Sequence, residues 1–215
     1  MPKHLLQTID TWVFDLDNTL YPPHMRLFDQ IETRMTAWVM TSLGVSEAEA
    51  DRLRSTYWRA HGTTLAGLMR VHNVDPHGYL HDVHDIDFTV LDPDPQLRAA
   101  IERLPGRKII YTNGTAPYAR NVIEHRGLSD LFDAIYGVEH ADFHPKPDHA
   151  AFEQVFGADG FDRSRALMFE DEPRNLQVPH AMGLATVHVA PAADPRAYID
   201  HHTDDLRGFL TQIVG

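Results

Sequence analysis

The sequence contains no cysteine among its 215 residues, which excludes disulfide bonds, thiol nucleophiles and zinc–thiolate sites. It also lacks any apolar run long enough for a membrane-spanning helix. Residues Met1 to Asp10 lack the basic head and apolar stretch of a signal peptide. We therefore expect neither a membrane span nor a signal peptide, and we predict a cytoplasmic protein.

Positive charge is scarce. Lys and Arg number 19 against 31 Asp and Glu, for a formal net charge of -12. A nucleic-acid polymer or an anionic membrane is a poor partner for such a surface. A small phosphorylated ligand stays compatible, because one metal ion and one lysine can reverse the local field. The composition does not indicate an oligomeric state.

The most informative stretch is the opening apolar run of residues 12–14, which is rich in strand-forming side chains. Asp15 follows it directly, and Asp17 lies two residues further on. In α/β sheets ligands bind at the carboxyl ends of the strands. Two carboxylates at such a point repel each other unless a cation or a proton lies between them. The stretch therefore predicts a metal site.

The remaining pattern predicts an α/β fold with an inserted helical domain. Residues 21–89 show helical periodicity and no convincing alternation of period two, and the Pro/Asp-rich segment 91–95 marks the return to the core. Strands and helices then alternate, which indicates a Rossmann-like, mainly parallel sheet. We predict an α/β core of residues 1–20 and 90–215, and an all-helical cap of residues 21–89. Further strands are predicted at 108–112, 134–138, 166–169 and 185–189, and helices at 118–127, 149–156, 175–182 and 204–213.

Three more strand ends or loops carry polar residues that suit chemistry. They are Thr112, Asn113 and Gly114 after the second strand, Lys146 between two prolines, and Glu170 and Asp171 after the fourth strand. Carboxylates of Asp15, Glu170 and Asp171 would suit Mg²⁺. The hydroxyl, backbone N–H and ammonium donors would suit phosphate oxygens. Each group alone has an ordinary explanation as a turn, a loop lysine or a surface charge pair, but their joint occurrence favours a functional site.

These residues carry a family resemblance. The sequence resembles the haloacid-dehalogenase superfamily of phosphatases through Asp15-x-Asp17-x-Thr19, Thr112, Lys146 and the Glu170-Asp171 pair. The insert after the first strand resembles the helical C1 cap of that superfamily. The string of residues 14–22 is similar to the pyrimidine 5'-nucleotidase branch. Glu172 departs from the pattern, since many relatives carry Ser after the acidic pair.

The resemblance implies a mechanism and a set of roles. Asp15 would be the nucleophile that forms an aspartyl-phosphate, and Asp17 the acid and base. Mg²⁺ and Lys146 would neutralise the transferring phosphoryl group. The resemblance implies that Thr112, Asn113 and Gly114 bind phosphate. It implies as metal ligands the side chains of Asp15, Glu170 and Asp171 and the backbone carbonyl of Asp17. It also implies that Thr19 stabilises the turn and that Asn175 orients the Asp171 loop.

Other functions fit parts of the pattern. A phosphosugar mutase shares the same core. A dehalogenase is disfavoured, because cleavage of a carbon–halogen bond needs no second acid such as Asp17. A phosphoacceptor receiver domain uses similar residues, but its acidic pair precedes the lysine and it needs no helical insert.

Histidines and arginines outside the motifs have less specific interpretations. His77, His81 and His84 fall at i, i+4 and i+7 and could share a helix face, although a wet polar surface is favoured over a transition-metal site. Arg120 and Arg174 follow two of the site loops and could reach substrate, but the interpretation as helix-surface arginines is favoured for both. The pair at 201–202 is interpreted as a surface pair near a helix start.

Overall fold

The computed structural model describes residues 8–215, so most of the segment tested for a signal peptide lies outside the described residues. A six-stranded parallel sheet forms the centre, in the order β3-β2-β1-β4-β5-β6. The strands are β1 Thr11–Phe14, β2 Arg107–Tyr111, β3 Ala134–Tyr136, β4 Ala166–Glu170, β5 Ala185–Val189 and β6 His201–Thr203. The predicted α/β, Rossmann-like class is confirmed.

The central strand β1 is buried on both faces, which is why its sequence shows no alternation. Phe14 stacks on Phe169 of β4 with 4.8 Å between ring centroids, and Trp12 packs on the same ring. Val13 points to the opposite face and joins a second apolar cluster. The strand that delivers the first two carboxylates is therefore fixed from both sides.

The segment between β1 and β2 folds into helices. They are α1 Leu27–Leu43, α2 Glu47–His61, α3 Thr64–His72 and α4 Pro76–Val83. Ser46 caps α2 by accepting a hydrogen bond from the Glu49 N–H at 3.4 Å. The Glu49 carboxylate pairs with Arg52 instead of reaching back to the cap. The helical character of this segment is as predicted, and its status as a separate cap domain stays a prediction.

Helices flank the sheet after the insert. They are α5 Pro95–Glu102, α6 Ala116–His125, α7 His149–Asp159, α8 Gln177–Ala181 and α9 Leu206–Val214. The helix predicted at 175–182 is shorter, because its first residues form a 3₁₀ turn, Pro173–Leu176. Across residues 8–215, no helix has both the length and the apolar character that crossing a membrane requires.

His201 and His202 lie shortly before the start of α9 at Leu206, as interpreted, but they are not a fully exposed surface pair. Both lie in β6, which pairs with β5 at the edge of the sheet. Their side chains are half-buried, and His202 Nε2 lies 2.8 Å from the Ala190 carbonyl oxygen. An edge strand is held mainly by backbone hydrogen bonds, so it does not require an apolar sequence.

A buried arginine joins the core to the segment where the chain returns from the insert. Arg126 is 2% exposed and its guanidinium donates to the Leu20 carbonyl oxygen at 3.2 Å and to the Asp92 carbonyl oxygen. It also pairs with the Asp94 carboxylate at 3.2 Å. One side chain therefore fixes the exit from β1 against the return segment.

We predict that Arg126→Ala lowers the free energy of unfolding by about 3 kcal/mol, since it leaves buried acceptors and a carboxylate without their donor. Urea unfolding followed by circular dichroism measures the change. The matched control is Arg52→Ala, which removes an exposed helical ion pair with Glu49 and is expected to leave stability nearly unchanged. Equal effects of the two substitutions would contradict the proposed role of Arg126.

Candidate active site

Three of the residues singled out from the sequence stand at the carboxyl ends of neighbouring strands. Asp15 follows β1, Thr112 follows β2 and Glu170 ends β4. Because β1 lies between β2 and β4, these ends meet at one edge of the parallel sheet. The Asp15 N–H donates to the Phe169 carbonyl oxygen at 2.9 Å, which extends the pairing of the strands as far as the carboxylate.

Lys146 reaches the same point from a loop. Its ammonium group donates to Asp15 Oδ1 at 2.6 Å and to Glu170 Oε2 at 2.6 Å. A third bond, of 3.0 Å, goes to the Tyr111 carbonyl oxygen. The side chain is 1% exposed. Burial alone would lower the pKa of Lys146, but the two carboxylates outweigh burial and raise it above its ordinary value.

Asn113 braces the backbone of Lys146. Its side-chain Nδ2 donates to the Lys146 carbonyl oxygen at 3.1 Å, and the Lys146 N–H donates to Asn113 Oδ1 at 2.7 Å. The asparagine that follows β2 therefore holds the lysine loop in place. The predicted role of its backbone N–H in binding phosphate stays a prediction.

Carboxylates crowd this site. Oxygens of Asp15, Glu170 and Asp171 lie within 4.8 Å of one another. Burial, reinforced by the charge of Glu170, raises the pKa of Asp15 to about 7. Burial, together with the charge of Asp15, raises the pKa of Asp171 well above its usual range. Three acids against one ammonium leave an excess of negative charge in a place from which water is largely excluded.

The oxygens of two acids are oriented by neighbours in the turn after β1. Thr19 Oγ1 donates to Asp15 Oδ2 at 3.1 Å, so this residue contacts the candidate nucleophile besides lying in the turn. Asn18, with a φ of 58°, donates to Asp171 Oδ2 at 3.3 Å. His188 Nε2 lies 3.0 Å from the Asp171 carbonyl oxygen. The contributions of Asn18 and His188 were missed from the sequence, and only the position of Asn18 between Asp17 and Thr19 could have signalled one of them.

Asp17 lies beside this cluster and has its own partners. Its Oδ1 accepts hydrogen bonds from the hydroxyls of Tyr21 at 2.7 Å and Tyr118 at 2.6 Å. Burial, with the charge of Asp15, raises the pKa of Asp17 to about 6, and the two tyrosines oppose that rise. A carboxyl group with such a pKa exchanges protons readily near neutral pH.

The predicted phosphate donors after β2 are partly engaged with each other. Thr112 Oγ1 accepts a hydrogen bond from the Gly114 N–H at 2.9 Å, which leaves the threonine hydroxyl proton for another acceptor. Asn175 donates its backbone N–H to the Glu172 carbonyl oxygen at 2.9 Å, and its side-chain oxygen is buried without a partner. The roles of Thr112, Gly114 and Asn175 stay predictions.

A cavity of about 610 Å³ separates the carboxylate cluster from the helices of the insert. Asp15, Asp17 and Lys146 line its floor. Its walls come from α1 to α4 and mix apolar with charged side chains. The apolar members include Phe28, Ile31, Met35, Leu65, Leu80 and Val83, and the charged ones are Glu32, Asp51 and Arg54. A substrate placed here would have its reacting end at Lys146 and the acids and its remainder against this mixed wall.

Arg174 bridges the two sides of the cavity, so the interpretation as a helix-surface arginine is wrong for it. Its guanidinium carbon lies 3.7 Å from the centroid of the Trp58 ring in α2, and its Nη1 donates to the Trp58 carbonyl oxygen at 3.3 Å. Its Nε donates to Glu172 Oε1 at 3.2 Å. The cation–π contact links the insert to the loop that follows β4. Arg120, by contrast, is exposed as expected.

The three histidines at positions 77, 81 and 84 do not form a metal site. His84 stacks on Tyr118 with 4.3 Å between ring centroids, and His77 packs edge-on against Phe143. Within residues 8–215 the group with metal-ligand spacing is the carboxylate trio around Asp15. The favoured polar-surface interpretation holds for His81, which is exposed, but not for His84.

The carboxylate trio fits a hard divalent cation. All the candidate ligands are oxygens, the preferred donors of Mg²⁺. Burial, together with the neighbouring acids, raises the pKa values of Asp15 and Asp171, and a divalent ion would oppose both effects. Lys146 occupies one oxygen each of Asp15 and Glu170, so the opposite oxygens and Asp171 are the positions from which a cation would be held.

The sequence profile of the haloacid dehalogenase-like hydrolases matches residues 12–189, which include β1, the insert and the strand ends described above. The chain belongs to this family.

Among individual proteins, the chain is 25% identical over 190 residues to Phosphate metabolism protein 8 of Saccharomyces cerevisiae. That match covers 81% of the chain, and the chain spans 59% of the length of the yeast protein. The solved structures that share the fold include the two that follow. One is a HAD phosphatase from Thermococcus onnurineus, with a TM-score of 0.64, 18% identity and coverage of 96% of this chain and 98% of the other. The second is the HAD hydrolase YfnB from Bacillus subtilis bound to magnesium, with a TM-score of 0.62, 17% identity and coverage of 95% and 98%.

We predict that His84 makes the protein less stable as the pH falls. Burial lowers its pKa from 6.5 to about 4, so between these values an unfolded chain binds a proton that the folded chain does not. The free energy of unfolding therefore decreases as the pH falls through this window. His84→Phe keeps a ring without a titrating group and is expected to show a smaller decrease in urea unfolding at several pH values. His81→Phe, on the exposed side of α4, is the control, and an unchanged slope in His84→Phe would contradict the prediction.

Proposed function

We propose that the protein is a Mg²⁺-dependent phosphomonoester hydrolase that acts through an aspartyl-phosphate intermediate. The observation that carries the proposal is the position of the Lys146 ammonium between Asp15 and Glu170, with Asp171 beside them and Asp17 facing the same cavity. This arrangement places a candidate nucleophile, a candidate acid and one ammonium group at the same end of the cavity. The names of the yeast and Thermococcus relatives agree with phosphate chemistry.

Asp15 is the proposed nucleophile. Hydrogen bonds from Lys146 and Thr19 fix its two oxygens, so the carboxylate has one orientation towards the cavity. An oriented carboxylate attacks phosphorus in line and forms a mixed anhydride that water then cleaves. Lys146 also places a positive charge where negative charge accumulates on the transferring group.

Asp17 is the proposed acid and base. Its raised pKa, about 6, keeps a protonated fraction available to the leaving alkoxide. The same carboxyl group, once ionised, takes a proton from the hydrolytic water. The presence of this second acid is the reason that we favour phosphate ester hydrolysis over dehalogenation.

Phosphate oxygens would be bound by the Thr112 hydroxyl, by Lys146 and by backbone N–H groups of the Asn113–Gly114 turn. Mg²⁺ would be held by Asp15, Asp171, Glu170 and the Asp17 backbone carbonyl. When bound, it supplies charge neutralisation and orients the phosphoryl group. The solved Bacillus relative is described with magnesium, which supports the choice of ion.

A pyrimidine nucleoside 5'-monophosphate is the proposed substrate. The support is the resemblance of residues 14–22 to the pyrimidine 5'-nucleotidase branch, together with a cavity whose walls offer both aromatic and polar side chains, which suit a base and a ribose. Cytoplasmic residence remains part of the proposal.

We predict that Asp15→Asn abolishes turnover, with a loss of about 10⁴-fold or more in kcat, because an amide cannot form the phosphoryl anhydride. Phosphate release with Mg²⁺ measures kcat, and circular dichroism checks the fold. The matched control is Asp130→Asn, which changes an exposed aspartate paired with Arg98 and is expected to leave activity unchanged. Near-normal turnover by Asp15→Asn would eliminate this nucleophile.

Removal of divalent ions is expected to abolish phosphate release, because the acids at the site then lack their counter-charge. The experiment compares a panel of phosphomonoesters, pyrimidine nucleotides included, with Mg²⁺ and with excess chelator. Activity that persists in chelator would remove the ion from the mechanism. Appearance of a relocated phosphate in place of free phosphate would indicate a mutase.

A further inference from the structure

The carboxyl group of Asp17 is held by one oxygen only. Both Tyr21 and Tyr118 donate their hydroxyl protons to Oδ1, at 2.7 and 2.6 Å. Among residues 8–215, none donates a hydrogen bond to Oδ2 of Asp17. The two oxygens of this carboxyl group are therefore chemically different, and Asp17 lines the cavity.

The two tyrosines are themselves fixed. Tyr21 and Tyr118 are 1% and 2% exposed. The Tyr118 ring is stacked on His84, which comes from the end of α4, with an interplanar angle of 10°. Gly114 makes room for that ring, since a Cβ at this position would lie 2.7 Å from Tyr118 Cδ1. Tyrosines packed so closely have little freedom to turn their hydroxyls away from Asp17.

Both hydroxyls direct their protons at the same carboxyl oxygen. A phenol hydroxyl has one proton to donate, so each tyrosine gives its only hydroxyl donor to Oδ1 of Asp17.

We propose that Tyr21 and Tyr118 are positioning residues that reserve Oδ2 of Asp17 for proton exchange with the leaving group. The inference rests on the proposed hydrolysis of phosphomonoesters. In the first step an oxygen of Asp15 bonds to phosphorus, the bond from phosphorus to the ester oxygen breaks, and the Oδ2 proton moves to that oxygen. In the second step water bonds to phosphorus, the Asp15 oxygen leaves with its electron pair, and the water proton moves to Oδ2.

Substrates with different leaving groups separate this role from a structural one. An alkoxide needs a proton as it departs, whereas nitrophenolate is stable enough to leave without one. For Tyr118→Phe and Tyr21→Phe we expect kcat/KM for an alkyl phosphate to fall by about 10- to 100-fold, part of what general acid catalysis contributes. With p-nitrophenyl phosphate we expect less than about a 3-fold change, since kcat/KM reports only the steps up to loss of the leaving group.

The matched control is Tyr136→Phe. It removes the same kind of hydrogen bond, from a tyrosine hydroxyl to a carboxylate at 2.9 Å, but the acceptor, Asp159, does not line the cavity as Asp17 does. Any loss in this variant is expected to be equal for the two substrates. Thermal unfolding of every variant shows whether the fold is retained, and Tyr21→Phe carries the test should Tyr118→Phe not fold.

An equal loss for both substrates, or no loss for either, in Tyr118→Phe and Tyr21→Phe would overturn the positioning role. Failure of the proposed function has a different signature. It would appear in the wild-type protein, as the absence of Mg²⁺-dependent phosphate release from both esters. Wild-type hydrolysis with an unchanged substrate ratio in the variants would therefore refute the tyrosine inference alone.

Discussion

The structure depends on the confinement of several negative charges at the carboxyl edge of a buried sheet. Asp15, Glu170 and Asp171 lie within 4.8 Å of one another and face a single buried ammonium group, that of Lys146. Such an arrangement costs free energy in the isolated protein and becomes favourable only when further positive charge arrives. The core therefore holds an excess of acidic groups that a divalent cation would neutralise.

The fold produces this confinement by topology. Three neighbouring parallel strands deliver their following residues to one edge, and β1, buried on both faces, cannot shift without disturbing two apolar clusters. The helical segment after β1 then covers the edge, so the charges lie at the bottom of a cavity instead of in open water. Reduced access of water strengthens the charge interactions there.

Much of this arrangement was predictable from the sequence, because short apolar runs followed by polar residues identify strands that end at a site. The edge strand β6 was not, since His201 and His202 carry no apolar signal. Partners distant in sequence were also hidden. Tyr118 lies 101 residues from Asp17, and nothing local marks it as more than a packing residue. Tyr21, four residues after Asp17, was the only signal of that contact available in the sequence.

Glu172, the residue that departs from the family pattern, accepts hydrogen bonds from the backbone and guanidinium of Arg174, while its own N–H donates to Glu170. Arg174 in turn covers Trp58 of α2. The Glu172 carboxylate is thus paired with Arg174, which in turn contacts the Trp58 side of the cavity. Replacing the helical insert by one without an aromatic ring at position 58 would leave the Arg174 guanidinium without its ring contact, so the insert and the loop after β4 are expected to change as a set.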